Sequence, residues 1–442
     1  MKIQLSDHFT YRKLLRFTMP SIIMMIFTSV YNMVDGLFIS NFVGITPFAA
    51  INLIFPFIQI VGCFGFMFAS GGSALVSATL GAKQSERANR IFSLLTYSTI
   101  VTGIVVAVLS ILFIRPIAIW MGADEVLLPY CVTYSRIVLA ALPCFMLQVF
   151  FQSFLVTAEK PGLGLIMTVI AGVTNIVLDA LFVAILRWGV VGAAVATVIS
   201  QCAGGLIPLA YFIRKNTSLL RLGKTRFRGK VLFSACTNGL SELVTNISMS
   251  VVSILYNFRL MKLVGEDGVA SYGAVMYVGF VFVAVFLGYA IGSAPVIGFH
   301  YGAQDHGELK SLFRKSNHIV IGASLGLGAF CLLLAGPLAT LFVGSAAELR
   351  DMTATAFRYY SLTVLFSGFS IFGSSFFTAL NNGIVSATIS FMRTIVFQIG
   401  AVLILPLFWG LDGVWLSLAL AEILATIVTV YFYRRKRSTY HY

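Results

Sequence analysis

Twelve apolar runs constrain this chain more than any other feature. They lie at about 14–40, 48–79, 91–114, 127–156, 163–186, 190–213, 238–262, 269–300, 316–343, 351–379, 384–408 and 413–433. Each reaches the roughly 20 residues that carry a helix across bilayer hydrocarbon. Of the 442 residues, 59% are hydrophobic and only 10% are charged, against about 25% charged in soluble domains. The sequence therefore predicts an all-α polytopic membrane protein with almost no soluble domain. The first run is too long for a cleavable signal, and no small-residue cleavage site follows it. Short connections between the runs make neighbours antiparallel.

Basic residues set the direction, because positive loops stay on the cytoplasmic side. With the N-terminus inside, 22 of the 30 Lys and Arg fall on the inner segments, including Lys2, Arg87, Arg90 and the cluster 214–230. Only 5 of the 16 acids accompany them: Asp7, Glu86, Glu159, Asp305 and Glu308. The net charge of +14 is thus a topology signal and not a mark of nucleic-acid binding. Residues 214–230 form a polybasic loop that also suits anionic lipid. The expected setting is a cell (inner or plasma) membrane, multi-pass, with both termini cytoplasmic.

One repeat offset runs through the chain. "LGAKQ" at Leu80–Gln84 returns as "YGAQD" at Tyr301–Asp305, so Gly81 maps onto Gly302, 221 positions on and half of the chain length. The same offset pairs Gly44 with Gly265, Gly71 with Gly292, Pro116 with Pro337, Gly189 with Gly410 and Gly192 with Gly413. An even six runs per half makes the repeats parallel, related by a pseudo-twofold axis along the membrane normal. The expected organisation is one lobe at 1–213, a basic linker at 214–230 and a second lobe at 231–442. Transporters built this way bind substrate between the lobes and alternate access by moving one lobe against the other.

Charges inside the runs break that symmetry. An Asp at a helix centre costs about 2.5–3.5 kcal/mol on insertion scales, so each needs a reason. Asp35 maps onto Tyr256, Asp179 onto Gly400 and Asn175 onto Val396. The acids therefore belong to the first half alone. At 1.5 Å per residue, Asp35 and Thr197 lie roughly 8 and 10 Å from the outer ends of their runs, and Asp179 lies at about the same depth. Asn175 shares a helix face with Asp179 one turn deeper, and Tyr31 shares one with Asp35. Two carboxylates, an amide and a hydroxyl at one depth suit a hard cation or one shared proton. A packing-only polar network and a plain aromatic role for Tyr31 are the bland alternatives. In the second half, Arg393 and Glu422 are candidates for a structural ion pair, and Glu242 sits near an inner helix end where it can snorkel. The six Cys form no CxxC pair, and the five His show no ligand spacing, so no zinc or haem site and no cofactor is expected.

These features resemble the multidrug and toxic compound extrusion (MATE) transporters. The likeness rests on twelve runs in two repeats, "VYNMVDGLFIS" in the first run, "TNIVLDALF" in the fifth and "GVVGAAVATVIS" in the sixth. It covers about the whole chain and is strongest for the prokaryotic DinF-like and MepA-like branch. The resemblance implies a cation site in the first lobe, coupled to export of bulky, often cationic, organic compounds. Carried over, that sodium or proton site falls on Asp35, Asn175, Asp179 and Thr197, with Tyr31 beside it. "FFTALNNG" in the tenth run has no acid, and Glu242 does not clearly occupy the family's position in the seventh run. A second-lobe cation site is therefore not expected.

Three function classes compete. The first is an antiporter exchanging amphipathic organic small molecules for Na+ or H+; its 39 Phe and 17 Tyr can line an apolar cavity, and aromatic faces suit organic cations. It is expected to work as a monomer in the lipid bilayer. The second is a lipid-linked oligosaccharide flippase, whose anionic carrier calls for a central cluster of basic residues, whereas only Arg393 clearly sits mid-membrane. The third is a membrane-embedded enzyme, but no intramembrane metal set, GxSxG or Ser/His pair is visible.

Overall fold

The computed structural model describes residues 3–344 and 347–442; Lys2, counted above among the inner basic residues, lies outside them. Eleven helices are long and apolar enough to cross a membrane, and a bent pair makes a twelfth crossing. In chain order these are span 1 (Tyr11–Val43), span 2 (Thr46–Gly81), span 3 (Ser85–Trp120) and span 4 (Leu128–Ala140 with Leu142–Thr157). Span 5 is Pro161–Ile185, span 6 Gly189–Ile213, span 7 Leu240–Val264 and span 8 Glu266–Gly302. Span 9 is His306–Leu333, span 10 Ala347–Ala379, span 11 Gly383–Ile404 and span 12 Pro406–Tyr440.

Local chemistry explains where the spans start and bend. Thr10 caps span 1 by accepting the Lys13 N–H, and Asp305 caps span 9 by accepting the Glu308 N–H. Asn382 does the same for the Val385 N–H of span 11. Span 9 therefore begins well before the apolar run at 316–343, and that run's last part forms a separate short helix, Ala335–Val343. Span 4 bends by 54° at Ala141, where Pro143 opens the second segment. A proline in a first helical turn forfeits no internal hydrogen bond, so a new helix starts there without cost.

The repeat is visible in the backbone. Left-handed positions recur 221 residues apart: Gly44 (φ 114°) with Gly265 (78°), Lys83 (59°) with Gln304 (58°), and Gly189 (61°) with Gly410 (52°). Two apolar cores follow, one drawn from residues 39–235 and the other from 252–418. The molecule is thus all-α, with twelve crossings in two pseudo-twofold lobes.

A third core joins the lobes on the face that carries most of the basic residues, called here the basic face. Leu5, Phe9, Leu14 and Phe17 pack there with Val156 of span 4 and with Leu309, Leu312 and Phe376 of the second lobe. Residues 3–10 lie across this junction as a strap. The Leu5 N–H donates to Glu159 Oε1 (2.7 Å), and the Phe9 N–H donates to Glu308 Oε1 (2.8 Å). His8 Nδ1 meets Glu308 Oε2 at 2.5 Å. Nearby, glycines let the lobes touch backbone to backbone. A Cβ on Gly71 would strike Ala235 and Gly239, and one on its repeat mate Gly292 would strike Thr18, the mate of Gly239.

Candidate functional site

The first-lobe acids meet inside the bundle. Span 1 brings Asp35 and span 5 brings Asp179, and the two carboxyl groups come within hydrogen-bonding reach of each other. Asp179 is fully buried and Asn175 nearly so, while Asp35 is half-buried. Asp35 Oδ1 and both carboxylate oxygens of Asp179 are buried and receive no hydrogen bond from the protein. None of the six ion pairs among the described residues involves either acid. Buried charge is normally paired or neutralised. Two facing carboxylates without a protein counter-charge are chemically incomplete, and a cation or a shared proton completes them.

Local structure holds this geometry. Gly172 on span 5 leaves room for Phe27 and Tyr31 of span 1, whose rings a Cβ would strike. Ser200 of span 6 donates to the Ala171 carbonyl of span 5 (2.9 Å), clamping those two helices. Immediately after Asp179 the backbone widens into a π-helical turn, Ala180–Ile185, and a second one, Ile39–Val43, lies just beyond Asp35. Such turns are frequent at functional sites because they free backbone groups and re-aim side chains.

The neutral members stand close by. Thr197 Oγ1 donates to the Ala193 carbonyl at 3.0 Å, which commits its proton and leaves its lone pairs to accept. Tyr134 stands near Thr197 and within electrostatic reach of both acids. Tyr134 is 4% exposed on the first half of span 4. Sequence reasoning passed over it, since a lone Tyr in an apolar run reads as filler. Tyr31 lies near Gln148 of span 4, itself buried, and feels the charge of Asp35. Gln148 was likewise passed over. Its signal was available, because an amide in mid-run needs a partner.

The second lobe answers differently at the matching positions. Tyr256, the repeat mate of Asp35, is fully buried; its hydroxyl meets Ser417 Oγ at 2.6 Å and its ring stacks on Tyr272. Gly400, the mate of Asp179, has nothing within 4 Å of where a Cβ would be. The charges of this lobe sit elsewhere. Arg393 lies in a third π-helical turn, Met392–Ile399, and holds Glu422 Oε1 through Nε (2.8 Å) and Nη2 (2.7 Å). The Ser370 hydroxyl donates to Glu422 Oε2 at 2.9 Å. Glu242 stands within electrostatic reach of Arg393. Among the described residues, no three His, Cys, Asp or Glu gather as they would around a transition metal.

With that geometry in view, the chain can be set beside known proteins. Over 425 residues it is 24% identical to the multidrug export protein MepA of Staphylococcus haemolyticus (strain JCSC1435), covering 95% of this chain and 92% of that one. It is 24% identical over 437 residues to the MepA of Staphylococcus aureus (strain MSSA476), covering 96% and 94%. Among solved structures, a MATE protein in complex with MaL6 superposes with a TM-score of 0.93 at 24% identity, covering 98% of each chain. An outward-facing multidrug resistance MATE family transporter of the MOP superfamily superposes with a TM-score of 0.92 at 24% identity, covering 98% of this chain and 97% of that one. The MatE family model matches residues 20–181 and again 243–403, one copy in each half. Two copies of one model, together spanning most of the sequence, place the chain in the MatE family of membrane proteins.

Proposed function

We propose that this chain is a secondary antiporter that exports bulky, often cationic, organic compounds in exchange for Na+ or H+ by alternating access. The observation that carries the reading is the facing pair Asp35 and Asp179, buried in one lobe without a basic partner. The MepA relatives are named for multidrug export, which supplies the cargo class. Asp35, Asp179, Asn175 and Thr197 are the groups that would hold the coupling ion, with Tyr31 and Tyr134 supporting them. Sodium is favoured over the proton, because the amide of Asn175 and the lone pairs of Thr197 offer neutral oxygens that a shared proton does not need.

The same reading sets the orientation. The basic face is taken as cytoplasmic, with both termini and the 214–230 linker inside a cell membrane. Glycine contacts and the strap then close the cytoplasmic side, as in an outward-facing state. Residues 1–213 and 231–442 act as the two moving lobes. The flippase alternative is disfavoured, because Arg393 is neutralised by Glu422 and is not free for a pyrophosphate carrier.

The test is efflux of an organic cation such as ethidium from proteoliposomes, with sodium and proton gradients imposed separately. Efflux that follows the sodium gradient alone supports the preferred form, and efflux that follows the proton gradient selects the other ion. Efflux indifferent to both gradients would refute antiport.

A further inference from the structure

The strap is tied to the two lobes unequally. Both of its flanks belong to the first lobe. Before the middle, the Leu5 N–H donates to Glu159 Oε1 (2.7 Å) at the end of span 4; after it, the chain enters span 1 at Tyr11. The middle grips the second lobe. The Phe9 N–H donates to Glu308 Oε1 (2.8 Å), His8 Nδ1 meets Glu308 Oε2 (2.5 Å), and Lys315 Nζ donates to the Phe9 carbonyl. The Phe9 ring stands edge-on to His300 of span 8, with centroids 6.4 Å apart.

This arrangement has a mechanical consequence. If the lobes part at the basic face, both flanks of the strap leave with the first lobe. The middle cannot then stay on Glu308. The grip on span 9 must break each time that face opens, and it must form again when the face closes.

The grip contains one group whose charge changes near neutral pH. The His8 side chain is 71% exposed, so it exchanges protons with the solution at the basic face, whereas Glu308 is 7% exposed. Glu308 lies in the first turn of span 9, where the helix favours an anion. Imidazoles gain their charge as pH falls through the range of about 8 to 5. The other charged and titratable groups around the strap are committed or set apart. Asp7 holds Lys13 at 2.8 Å, Glu159 accepts from Leu5, and Lys315 is on the Phe9 carbonyl. Tyr11 meets His318 Nδ1 at 2.6 Å, one turn beyond the grip. His300 lies beneath the strap, 4% exposed, with Asp305 Oδ2 at 3.7 Å from its Nδ1.

We propose that the strap is a latch between the lobes, and that the charge on His8 sets its hold on Glu308. This rests on the alternating-access reading above. The charged imidazole has its carboxylate partner only while the basic face is closed. The closed state therefore gains stability as pH falls, and loses that share as pH rises and His8 becomes neutral. Charging His300 would act with the opposite sign, because it would place a cation in the buried floor under Phe9. The direction of the pH response thus separates the two histidines.

The test is double electron–electron resonance on the full-length protein in lipid nanodiscs, in a background free of native cysteine. Spin labels at Lys83→Cys and Gln304→Cys, repeat mates on opposite lobes, read the closed fraction of the basic face. Over about pH 5.5 to 8 the closed-to-open ratio of the parent should fall roughly fivefold as pH rises. His8→Gln should hold the ratio at its high-pH value throughout. His8→Lys, which stays charged over this range, should restore closure at every pH. Replacing residues 3–9 with a flexible segment of equal length should lower closure and remove the pH response. The response should survive in Asp35→Asn; a response lost there and kept in His8→Gln would belong to the ion site and overturn the latch. A flat profile in the parent, or closure that grows as pH rises, would overturn it as well.

Discussion

Gly81 and Gly302, repeat mates 221 positions apart, face each other across the lobe junction. Each lies so close to the other helix that an added Cβ would collide with a main-chain carbonyl: that of Phe299 for Gly81, and that of Ala78 for Gly302. Ala78 and Phe299 are themselves repeat mates, so the pseudo-twofold axis passes through this contact. Substitution here obstructs closure of the basic face and little else. Gly302→Val should abolish crosslinking between cysteines placed at Ala82 and Ala303 in a background free of native cysteine. Undiminished crosslinking would mean that the helices separate without consequence.

The strap gives a second prediction. Glu159 and Glu308 are buried and hold main-chain N–H groups of residues 5 and 9 from opposite lobes. A charge-assisted hydrogen bond contributes about 1.5–3 kcal/mol. Glu308→Ala should therefore lower the thermal midpoint in detergent and expose the strap to protease. An unchanged midpoint and unchanged cleavage would show that the strap rests there without holding.

The Arg393–Glu422 pair should behave as a buried ion pair, since the two side chains are 16% and 8% exposed. Breaking it from one side strands a charge, at a cost of about 3–5 kcal/mol. Glu422→Ala should destabilise strongly, whereas Arg393→Met combined with Glu422→Met should recover most of the loss. Equal destabilisation by the single and double variants would assign these residues more than a packing role.

How much of this was legible beforehand depended on the kind of signal. The spans were readable because length and hydropathy are local properties. The duplication was readable because glycines such as Gly81 and Gly302 sit at contacts that exclude any side chain. The bend at Ala141 was carried by one proline inside an unbroken apolar run, and hydropathy does not register it. The strap was hidden because Leu5 and Phe9 use main-chain N–H groups, which leave no mark in sequence. Asp35, Asn175, Asp179 and Thr197 stood out because polar groups in lipid demand an explanation. Tyr134 did not, because its phenol satisfies an apolar run and a polar site equally well.

Tyr134 supplies its own check. It is buried near Thr197 and within electrostatic reach of the two acids. Tyr134→Phe should keep the fold and weaken sodium protection against thermal unfolding, with a smaller effect than loss of either carboxylate. Asn175→Ala and Thr197→Ala should rank with it, each removing one neutral oxygen. Full sodium protection in all three variants would confine the site to the acids.

The pair Asp35 and Asp179 bears the whole account, and one measurement tests it most directly. Wild type, Asp35→Asn and Asp179→Asn are reconstituted at equal protein amounts, and gradient-driven export of an organic cation is followed. Removing a buried carboxylate lightens the insertion cost, so both variants should fold and enter the membrane. What they lose is the difference in cation affinity between the two access states, without which an ion gradient cannot drive the cycle. The account predicts that both lose coupled export. Wild-type export by Asp35→Asn would contradict it and return Asp35 to a packing role.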